Sequence, residues 1–331
     1  MAERIVVAGG GSWGTALAHA LACAGHEATI LLRDEETAAH IREHHENPRY
    51  LAGKKLHFLV GAATGEKVLE NCSLLVLAVP CQKQRGFLEA VRPLLPRGCV
   101  VVNAAKGLER GTCLPLSRVA AEALPGVGSR YAVLSGPSLA AEVMGGLPTA
   151  VVLGCADESI AELLRDVFST PFFRCYSNAD ITGVETGGAL KNVMAIAAGV
   201  CDGLGFGHNS RAGLITRGLA ELKRIGTKLG ADPATFMGLS GLGDLVLTCT
   251  GDLSRNRQVG LRLGRGESLE EIILSLGMVA EGVETARATK DLAHKLGVDA
   301  PVTRAVCAII DGETAPHDAV AELMSRPLRR E

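Results

Sequence analysis

The sequence has little net charge and few aromatic residues, and both shortages exclude classes of partner. Its 331 residues include 34 Lys and Arg against 36 Asp and Glu, which gives a formal net charge of −2. Proteins that coat nucleic acid or anionic membranes carry excess positive charge, so neither partner is expected. Aromatic residues make up only 3% of the chain, which argues against a stacking platform for single-stranded bases. We therefore expect a small-molecule partner.

Cysteine pairs and long hydrophobic runs are also missing. None of the ten cysteines forms a C-x-x-C pair, and no Cys and His cluster has the spacing of metal ligands, so no metal site is predicted. No stretch of ~20 residues is continuously apolar, as a transmembrane helix requires, so membrane insertion is not expected. The start of the chain lacks the basic and apolar regions of a signal peptide. These observations predict a cytoplasmic protein with reduced cysteines.

The spacing of apolar residues changes near residue 180. Before that point, short β-branched runs alternate with helical patterns, which is typical of a mostly parallel sheet covered by helices on both faces. After residue 182 only helical periodicity remains. The length also favours two cores over one. We predict an α/β chain, with an N-terminal Rossmann-type doubly wound sheet over residues 1–181 and a C-terminal all-α substrate-binding domain over 182–331. The predicted strands are 5–8, 29–32, 57–60, 74–79, 99–103, 132–134, 150–153 and 172–176.

One helix of the second half is predicted in more detail. Apolar residues at helical spacing between Asn209 and Gly230 form a single face, which includes Leu222 and Ile225. Asn209 or Ser210 is expected to cap the start of this helix.

A glycine motif follows the first predicted strand. Gly9, Gly11 and Gly14 fit G-x-G-x-x-G between a strand and a helix, the context in which this motif binds the pyrophosphate of a dinucleotide. The first glycine permits a tight turn, the second lets the backbone approach the phosphates, and the third lets helix and strand pack closely. Ser12 and Trp13 are expected beside the cofactor, although Trp13 is equally suited to the core.

The end of the second predicted strand gives conflicting signals about the cofactor. An acid at this position binds the ribose hydroxyls of NAD, whereas a basic residue accommodates the 2′-phosphate of NADP. The sequence has Arg33 followed by Asp34. Neighbouring side chains on a strand face opposite sides, so we expect only one of them to contact the ribose.

Polar residues also follow later strands, at the edge where open α/β sheets bind their ligands. Lys106 follows a Val-Val-Val run, and Gly136 and Ser138 belong to a Ser-Gly-Pro-Ser segment that leads into a helix. Lys106 is either a cation that faces the ligand or a solvated loop charge.

In the helical half, Lys191 lies in an apolar helical segment with small residues such as Gly187 one turn away. Lysine is rarely buried without a partner. Two interpretations stay open: an ion pair with Glu185 or Glu142, or a proton donor whose pKa is tuned by partial desolvation.

A second polar segment contains Ser254, Arg255 and Asn256, and it follows a Gly-Leu-Gly-Asp run that ends at Asp244. A planar guanidinium with flanking Asn and Ser suits capture of a phosphate or carboxylate. Asp244 alone is equally typical of a helix cap.

Together these motifs resemble the bacterial-type NAD(P)-dependent glycerol-3-phosphate dehydrogenases over nearly the whole chain. The motifs are Gly-Gly-Gly-Ser-Trp-Gly-Thr at 9–15, Ala-Ala-Lys-Gly-Leu-Glu at 104–109, Ser-Gly-Pro-Ser at 135–138, Gly-Gly-Ala-Leu-Lys-Asn-Val at 187–193, Gly-Leu-Gly-Asp-Leu at 241–245 and Ser-Arg-Asn-Arg at 254–257. One departure is Ala105, where the family pattern leads us to expect a hydroxyl residue.

The resemblance implies roles for individual residues. The dinucleotide, NADPH with NADH as the alternative, would be lined by Ser12, Trp13, Arg33, Lys106, Ala140, Arg255, Val279 and Glu281. The substrate, dihydroxyacetone phosphate or sn-glycerol 3-phosphate, would be surrounded by Lys106, Gly136, Ser138, Lys191, Asp244, Ser254, Arg255 and Asn256. Lys191 would be the catalytic proton-transferring lysine. The resemblance also implies a cytoplasmic homodimer that makes the backbone precursor of phospholipids.

The chemistry of the residues agrees with this interpretation, because reduction of a ketone needs a positioned cation that also donates a proton. Two alternatives remain. One is a β-hydroxyacid or sugar-acid dehydrogenase of similar layout, and the other is a dinucleotide-sensing protein without turnover.

Overall fold

A computed structural model describes residues 4–276 and 281–327 of the chain. These residues form two compact units. The first consists of the described residues of Met1–Lys106 and Leu116–Glu185, and the second of those of Gly107–Pro115 and Thr186–Glu331.

The first unit is built on an eight-stranded sheet within the described ranges. The strand order is β3-β2-β1-β4-β5-β6-β7-β8, and every neighbouring pair is parallel except the antiparallel pair β6 and β7. The predicted α/β class and mostly parallel sheet are confirmed. The strands are β1 Ile5–Ala8, β2 Ala28–Leu32, β3 Val60–Thr64, β4 Leu74–Leu77, β5 Val100–Asn103, β6 Tyr131–Ser135, β7 Thr149–Cys155 and β8 Phe173–Asn178.

The centre of the sheet explains where ligands are expected. Ile5 of β1 is in register with Ala28 of β2 and with Leu74 of β4. Strands β1 and β4 consist only of buried apolar residues, as expected for strands covered on both faces. Since these strands are parallel, their carboxyl ends meet at one edge, and the strand order reverses on the two sides of β1. Dinucleotides bind at such a reversal.

Helices and short 3-10 segments complete the first unit. Its apolar core joins sheet residues such as Val7 and Val76 to helix residues such as Leu17 and Leu164. The helices are α1 Ser12–Cys23, α2 Glu35–His44, α3 Gln84–Val91, α4 Leu116–Ala123, α5 Ala140–Met144 and α6 Glu158–Phe168, with 3-10 turns at Glu66–Asn71, Cys81–Lys83 and Gly128–Arg130.

The predicted strand over 57–60 was wrong in its bounds. The backbone N–H of His57 donates to His19 Nδ1 at 3.1 Å, and that of Leu59 donates to His57 Nδ1 at 3.3 Å. Both amides therefore donate to imidazole nitrogens and not to a neighbouring strand. The strand begins at Val60, where pairing with Ala28 starts.

In the second unit the described secondary structure is helical apart from one isolated β-bridge, which confirms the predicted all-α half. The helices are α7 Ile181–Gly203, α8 His208–Lys228, α9 Asp244–Thr250, α10 Arg255–Gly264, α11 Leu269–Leu276, α12 Glu281–Lys295, α13 Pro301–Ile310 and α14 Pro316–Met324, with a 3-10 turn at Thr235–Met237 and a π-helical turn at Leu239–Gly243.

Helix α8 has the predicted apolar face but not the predicted cap. Leu222 and Ile225 are fully buried in the core of the second unit. The helix begins at His208, so its cap is Gly207, and Asn209 and Ser210 fall in the first turn.

Residues 107–115 form a small hairpin that belongs to the second unit. Leu108 pairs with Pro115 in an antiparallel bridge, and the N–H of Glu109 donates to the carbonyl of Leu114 at 2.9 Å. Leu108 and Cys113 are buried in the core of the second unit. For this reason the compact units differ from the predicted division at residue 181, which assigned the hairpin to the first domain.

Candidate active site

The turn between β1 and α1 requires glycine at two of the three motif positions. Gly9 has φ +112°, and a Cβ atom there would lie 2.6 Å from the carbonyl oxygen of Ala78. A Cβ atom on Gly14 would lie 1.9 Å from the carbonyl oxygen of Gly9. Both distances are far below van der Waals contact. The tight turn and the close packing of helix on strand therefore depend on these glycines.

Gly11 differs, because a Cβ atom there would meet no protein atom within 4 Å. Gly11 is the N-cap of α1, where no side chain accepts a hydrogen bond and no acidic residue lies in the first turn. The helix N-terminus thus offers its backbone N–H groups and positive dipole end to an anion. Ser12 begins the helix, and the indole N–H of half-buried Trp13 donates to the carbonyl of Ala104 at 3.1 Å. These residues fit the pyrophosphate of a dinucleotide.

Arg33 and Asp34 have different environments in the structure. The carboxylate of Asp34 caps α2 and accepts hydrogen bonds from the backbone N–H of Thr37, at 3.0 Å, and from its hydroxyl. These hydrogen bonds hold the pKa of Asp34 below its usual value, so it stays charged. Arg33 is exposed at the end of β2. The Asp34 carboxylate is therefore occupied as a helix cap. Arg33 is the side chain suited to a ribose that carries a 2′-phosphate.

Lys106, Gly136 and Ser138 meet at one carbonyl group. Lys106 Nζ donates to the carbonyl of Gly136 at 3.3 Å, and the hydroxyl of Ser138 donates to the same oxygen at 3.0 Å. The half-buried ammonium is therefore fixed at the carboxyl edge of β5 and β6, which favours a positioned cation over a solvated loop charge. Ala140 follows as the first residue of α5 and is half-buried.

Asn103 is a residue at this edge that the sequence analysis missed. Its side chain is fully buried at the end of β5, where Oδ1 accepts from Gln84 Nε2 at 2.7 Å and from the N–H of Ala105 at 3.2 Å. Its Nδ2 donates to the carbonyl of Ala105 at 3.1 Å. Asn103 thus shapes the turn before Lys106 although Ala105 has no hydroxyl. A polar residue at the end of an apolar strand was the available signal.

In the second unit, Lys191 is buried, with only 6% of the residue exposed. Its Nζ pairs with the carboxylate of Asp244, which is completely buried, and donates to Thr248 Oγ1 at 2.7 Å. The sequence suggested Glu185 or Glu142 as partner, and this was wrong. Glu185 instead accepts hydrogen bonds from the N–H and hydroxyl of Ser117, at 2.8 and 2.6 Å. A buried ion pair between residues 53 positions apart carries no local sequence signal.

Small residues on α7 admit the segment that delivers Asp244. A Cβ atom on Gly187 would lie 2.7 Å from the carbonyl oxygen of Ser240, within the π-helical turn that ends at Gly243. A Cβ atom on Gly241 would lie 2.1 Å from the carbonyl of Phe236. The small face of α7 therefore accommodates protein backbone. It brings Asp244, the first residue of α9, to Lys191.

The Ser254–Asn256 segment begins α10. The hydroxyl of Ser254 caps the helix and accepts from the N–H of Arg257 at 3.3 Å. Arg255 is exposed. Arg257, which the sequence analysis did not select, is buried: its Nε donates to Asp202 at 2.9 Å, and its Nη1 donates to Asp252 at 2.9 Å. This ion-pair network fixes the segment on which Arg255 is presented.

Asn256 is oriented by the start of α12. Its Oδ1 accepts from the N–H of Gly282 at 3.1 Å, which leaves the Nδ2 donors directed elsewhere. Glu281, the first residue of α12, is half-buried. Val279, the other residue of this region expected to line the dinucleotide, lies outside the described residues.

Two properties of the described ranges are relevant to ligands. No group of three or more His, Cys, Asp or Glu side chains within them is arranged to hold a metal ion. None of the helices within them is both long and apolar enough to cross a membrane. The groups that are present are donors for anions and a buried lysine that can hold a proton.

Comparison with known proteins agrees with the site. Residues 4–161 match the family model described as NAD-dependent glycerol-3-phosphate dehydrogenase N-terminus, and residues 180–321 match the corresponding C-terminus. The glycerol-3-phosphate dehydrogenase [NAD(P)+] of Desulfovibrio desulfuricans is 59% identical over 333 residues, which cover 100% of both chains. That of Nitratidesulfovibrio vulgaris is 56% identical, covering 99% of this chain and 100% of the relative.

A solved structure extends the agreement to three dimensions. The glycerol-3-phosphate dehydrogenase of Coxiella burnetii superposes with a TM-score of 0.92 at 36% identity, covering 97% of this chain and 98% of that chain. The chain therefore belongs to the NAD-dependent glycerol-3-phosphate dehydrogenase family.

Proposed function

We propose that this chain is an NAD(P)-dependent sn-glycerol-3-phosphate dehydrogenase that interconverts dihydroxyacetone phosphate and sn-glycerol 3-phosphate. The observation that carries the proposal is the buried ammonium of Lys191, held by Asp244 and Thr248 in a chain whose relatives bear this name. A buried lysine tied to one carboxylate and one hydroxyl is suited to give a proton at a fixed point.

Lys191 acts as the general acid in the reductive direction. When bound, the dinucleotide supplies the hydride. As negative charge develops on the carbonyl oxygen of the substrate, the Lys191 ammonium stabilises it and donates a proton. Asp244 orients the lysine, and Thr248 Oγ1 accepts from Lys191 while its own hydroxyl donates to the carbonyl of Asp244 at 2.6 Å. In the oxidative direction Lys191 takes the proton back.

The phosphate of the substrate is assigned to Arg255 and Asn256. Arg255 is exposed on a segment fixed by Arg257, and Asn256 has its carbonyl oxygen occupied by Gly282, so that its amide donors are available for an anion. In the first unit, Lys106 and Ser138 are assigned to the substrate beside Gly136. The dinucleotide is assigned to the glycine turn, Arg33 and the neighbouring residues already described.

Steady-state assays with the purified protein test this function. Oxidation of NADPH and NADH is followed with dihydroxyacetone phosphate, with unphosphorylated dihydroxyacetone and with a panel of β-keto acids. We expect turnover with the phosphorylated ketone and almost none with free dihydroxyacetone, because the remote phosphate orients the carbonyl and contributes to kcat as well as KM. Comparable rates with free dihydroxyacetone would rule out the phosphate site. Preference for a β-keto acid would indicate a hydroxyacid dehydrogenase, and dinucleotide binding without turnover a sensor.

The family resemblance also supports a cytoplasmic homodimer whose product enters phospholipid synthesis. Light scattering during size-exclusion chromatography measures the assembly, and a mass of one chain would contradict the dimer.

A further inference from the structure

Asn47 joins the glycine turn to a segment of the chain that the dinucleotide motif does not include. Its side chain is buried, and Nδ2 donates to the carbonyl of Gly10 at 3.0 Å and to Thr15 Oγ1 at 2.8 Å. On its other side, Oδ1 accepts from the backbone N–H groups of Arg49 and Tyr50, both at 3.1 Å. The backbone of Arg49 is therefore anchored to the turn that would hold the pyrophosphate.

This anchor brings Arg49 to the end of β2. Its Nη2 lies 3.3 Å from Asp34 Oδ2, so the guanidinium is placed beside the residue that follows Arg33. The Arg49 side chain is 59% exposed and that of Asp34 is 36% exposed. An exposed ion pair of this kind is worth only about 0–1 kcal/mol, so Arg49 can share its donors with an arriving anion at small cost.

Two acids at this position, Asp34 and Glu35, are already engaged by other groups. Asp34 is occupied as the cap of α2, and the next acid, Glu35, is paired with Arg42 at 2.5 Å and with the hydroxyl of Thr64. Arg49 therefore lies beside Asp34, the residue next to the exposed Arg33, at the place where the adenosine ribose of a dinucleotide is expected. A 2′-phosphate carries more charge than one guanidinium neutralises, whereas a ribose hydroxyl has no need of a second cation.

We propose that Arg49 is a second specificity-determining residue for the dinucleotide, which binds the 2′-phosphate of NADPH together with Arg33. Asn47 is the positioning residue that fixes Arg49 relative to the pyrophosphate turn. This inference rests on the proposed function. It adds Arg49, a cation that does not lie at the end of β2, to the residues that bind the dinucleotide.

The test compares Arg49→Gln with Arg42→Gln as a matched control, since Arg42 is another half-exposed arginine of the same region with its own carboxylate partner. We expect Arg49→Gln to raise KM for NADPH about tenfold with kcat unchanged, and to leave KM for NADH within about twofold. Arg49→Lys recovers part of the loss. Arg42→Gln leaves both values within about twofold. Equal losses with both cofactors, or the same effect in Arg42→Gln, overturn the proposal.

Calorimetry with 2′,5′-ADP and 5′-AMP separates this inference from the proposed function, because it requires no turnover. Weaker binding of 2′,5′-ADP alone in Arg49→Gln supports the role of Arg49 whatever substrate is reduced. Unchanged binding of 2′,5′-ADP overturns it even when dihydroxyacetone phosphate is reduced normally.

A double-mutant cycle tests Asn47. In the Asn47→Ala background Arg49 is no longer anchored, so adding Arg49→Gln changes KM for NADPH by less than about twofold. Full additivity of the two substitutions contradicts the positioning role.

Discussion

The candidate sites of the two units are formed by different kinds of group, mainly backbone in the first unit and charged side chains in the second. In the first, the dinucleotide turn is largely backbone: glycines that leave no room for Cβ atoms, a helix N-terminus without a side-chain cap, and carbonyls that orient Trp13 and Lys106. In the second, the site depends on buried charged side chains, Lys191 with Asp244 and Arg257 with Asp202. A backbone site tolerates few added atoms, whereas a side-chain site tolerates few lost charges.

The largest effect is expected where a charge is removed from the second unit. Lys191→Met removes both the proton donor and the cation beside the developing alkoxide, so kcat should fall at least ~10³-fold. Dinucleotide binding should survive, because the glycine turn is unaffected. Stopped-flow or steady-state kinetics together with NADPH titration measure both.

The same substitution removes the cation that pairs with the buried carboxylate of Asp244, which costs about 3–5 kcal/mol of stability. The double variant Lys191→Met/Asp244→Asn is the control, since it restores stability without restoring the proton donor. If the double variant regains turnover to within tenfold of wild type, Lys191 is structural and not catalytic.

In the first unit, a methyl group added at Gly14 and one added at Gly11 should have different effects. Gly14→Ala places a Cβ against the carbonyl of Gly9 and should lower the free energy of unfolding by about 3 kcal/mol. Gly11→Ala meets open space, so stability should change by less than about 1 kcal/mol, while NADPH affinity falls at least tenfold because the methyl group occupies the phosphate position. Urea unfolding and NADPH titration separate the two. Equal stability of both variants would contradict the close packing at Gly14.

Glu185 departs from this contrast, because it is a buried acidic side chain in the first unit. Burial raises its pKa to about 7, although hydrogen bonds from Ser117 oppose the shift. The folded state then binds the proton more tightly than the unfolded state, so this contribution to stability is complete below the ordinary pKa of about 4.5 and is lost as the pH rises towards 7. Between pH 5 and 8 the wild type should lose about 2–3 kcal/mol relative to Glu185→Gln. Urea midpoints at the two pH values measure the difference, and parallel pH profiles of the two proteins would refute the shift.

The smallest effect is expected at Arg33, an exposed cation of the first unit. Arg33→Ala should raise KM for NADPH by about an order of magnitude, because a charge-assisted hydrogen bond is worth ~1.5–3 kcal/mol. KM for NADH should change little. An equal loss with NADH would show that Arg33 does not bind the 2′-phosphate.

The contrast between the units also explains what could be predicted from the sequence. The glycine turn was predictable because G-x-G-x-x-G is local and each glycine has its own steric reason. The partner of Lys191 was not, because Asp244 reaches it only through the close approach of Gly187 and Ser240, which no spacing along the chain encodes. The role of Asp34 as the cap of α2 could not be predicted, since its hydrogen bond with Thr37 cannot be recognised before the helix start is known.

The hairpin at 107–115 has a consequence for the order in which the chain is made. Cys113 Sγ accepts a hydrogen bond from Lys295, which follows it by 182 residues. At ~5–20 residues per second, a ribosome needs about 10–40 s to add that much chain. During this interval strands β6 to β8 are synthesised first, and the helices whose core buries Leu108 and Cys113 follow them. In the nascent chain the loop of residues 107–115 therefore lacks the core that later buries Leu108 and Cys113. We expect a chaperone to bind this loop, or a thiol reagent to modify Cys113, more readily before synthesis is finished than after it.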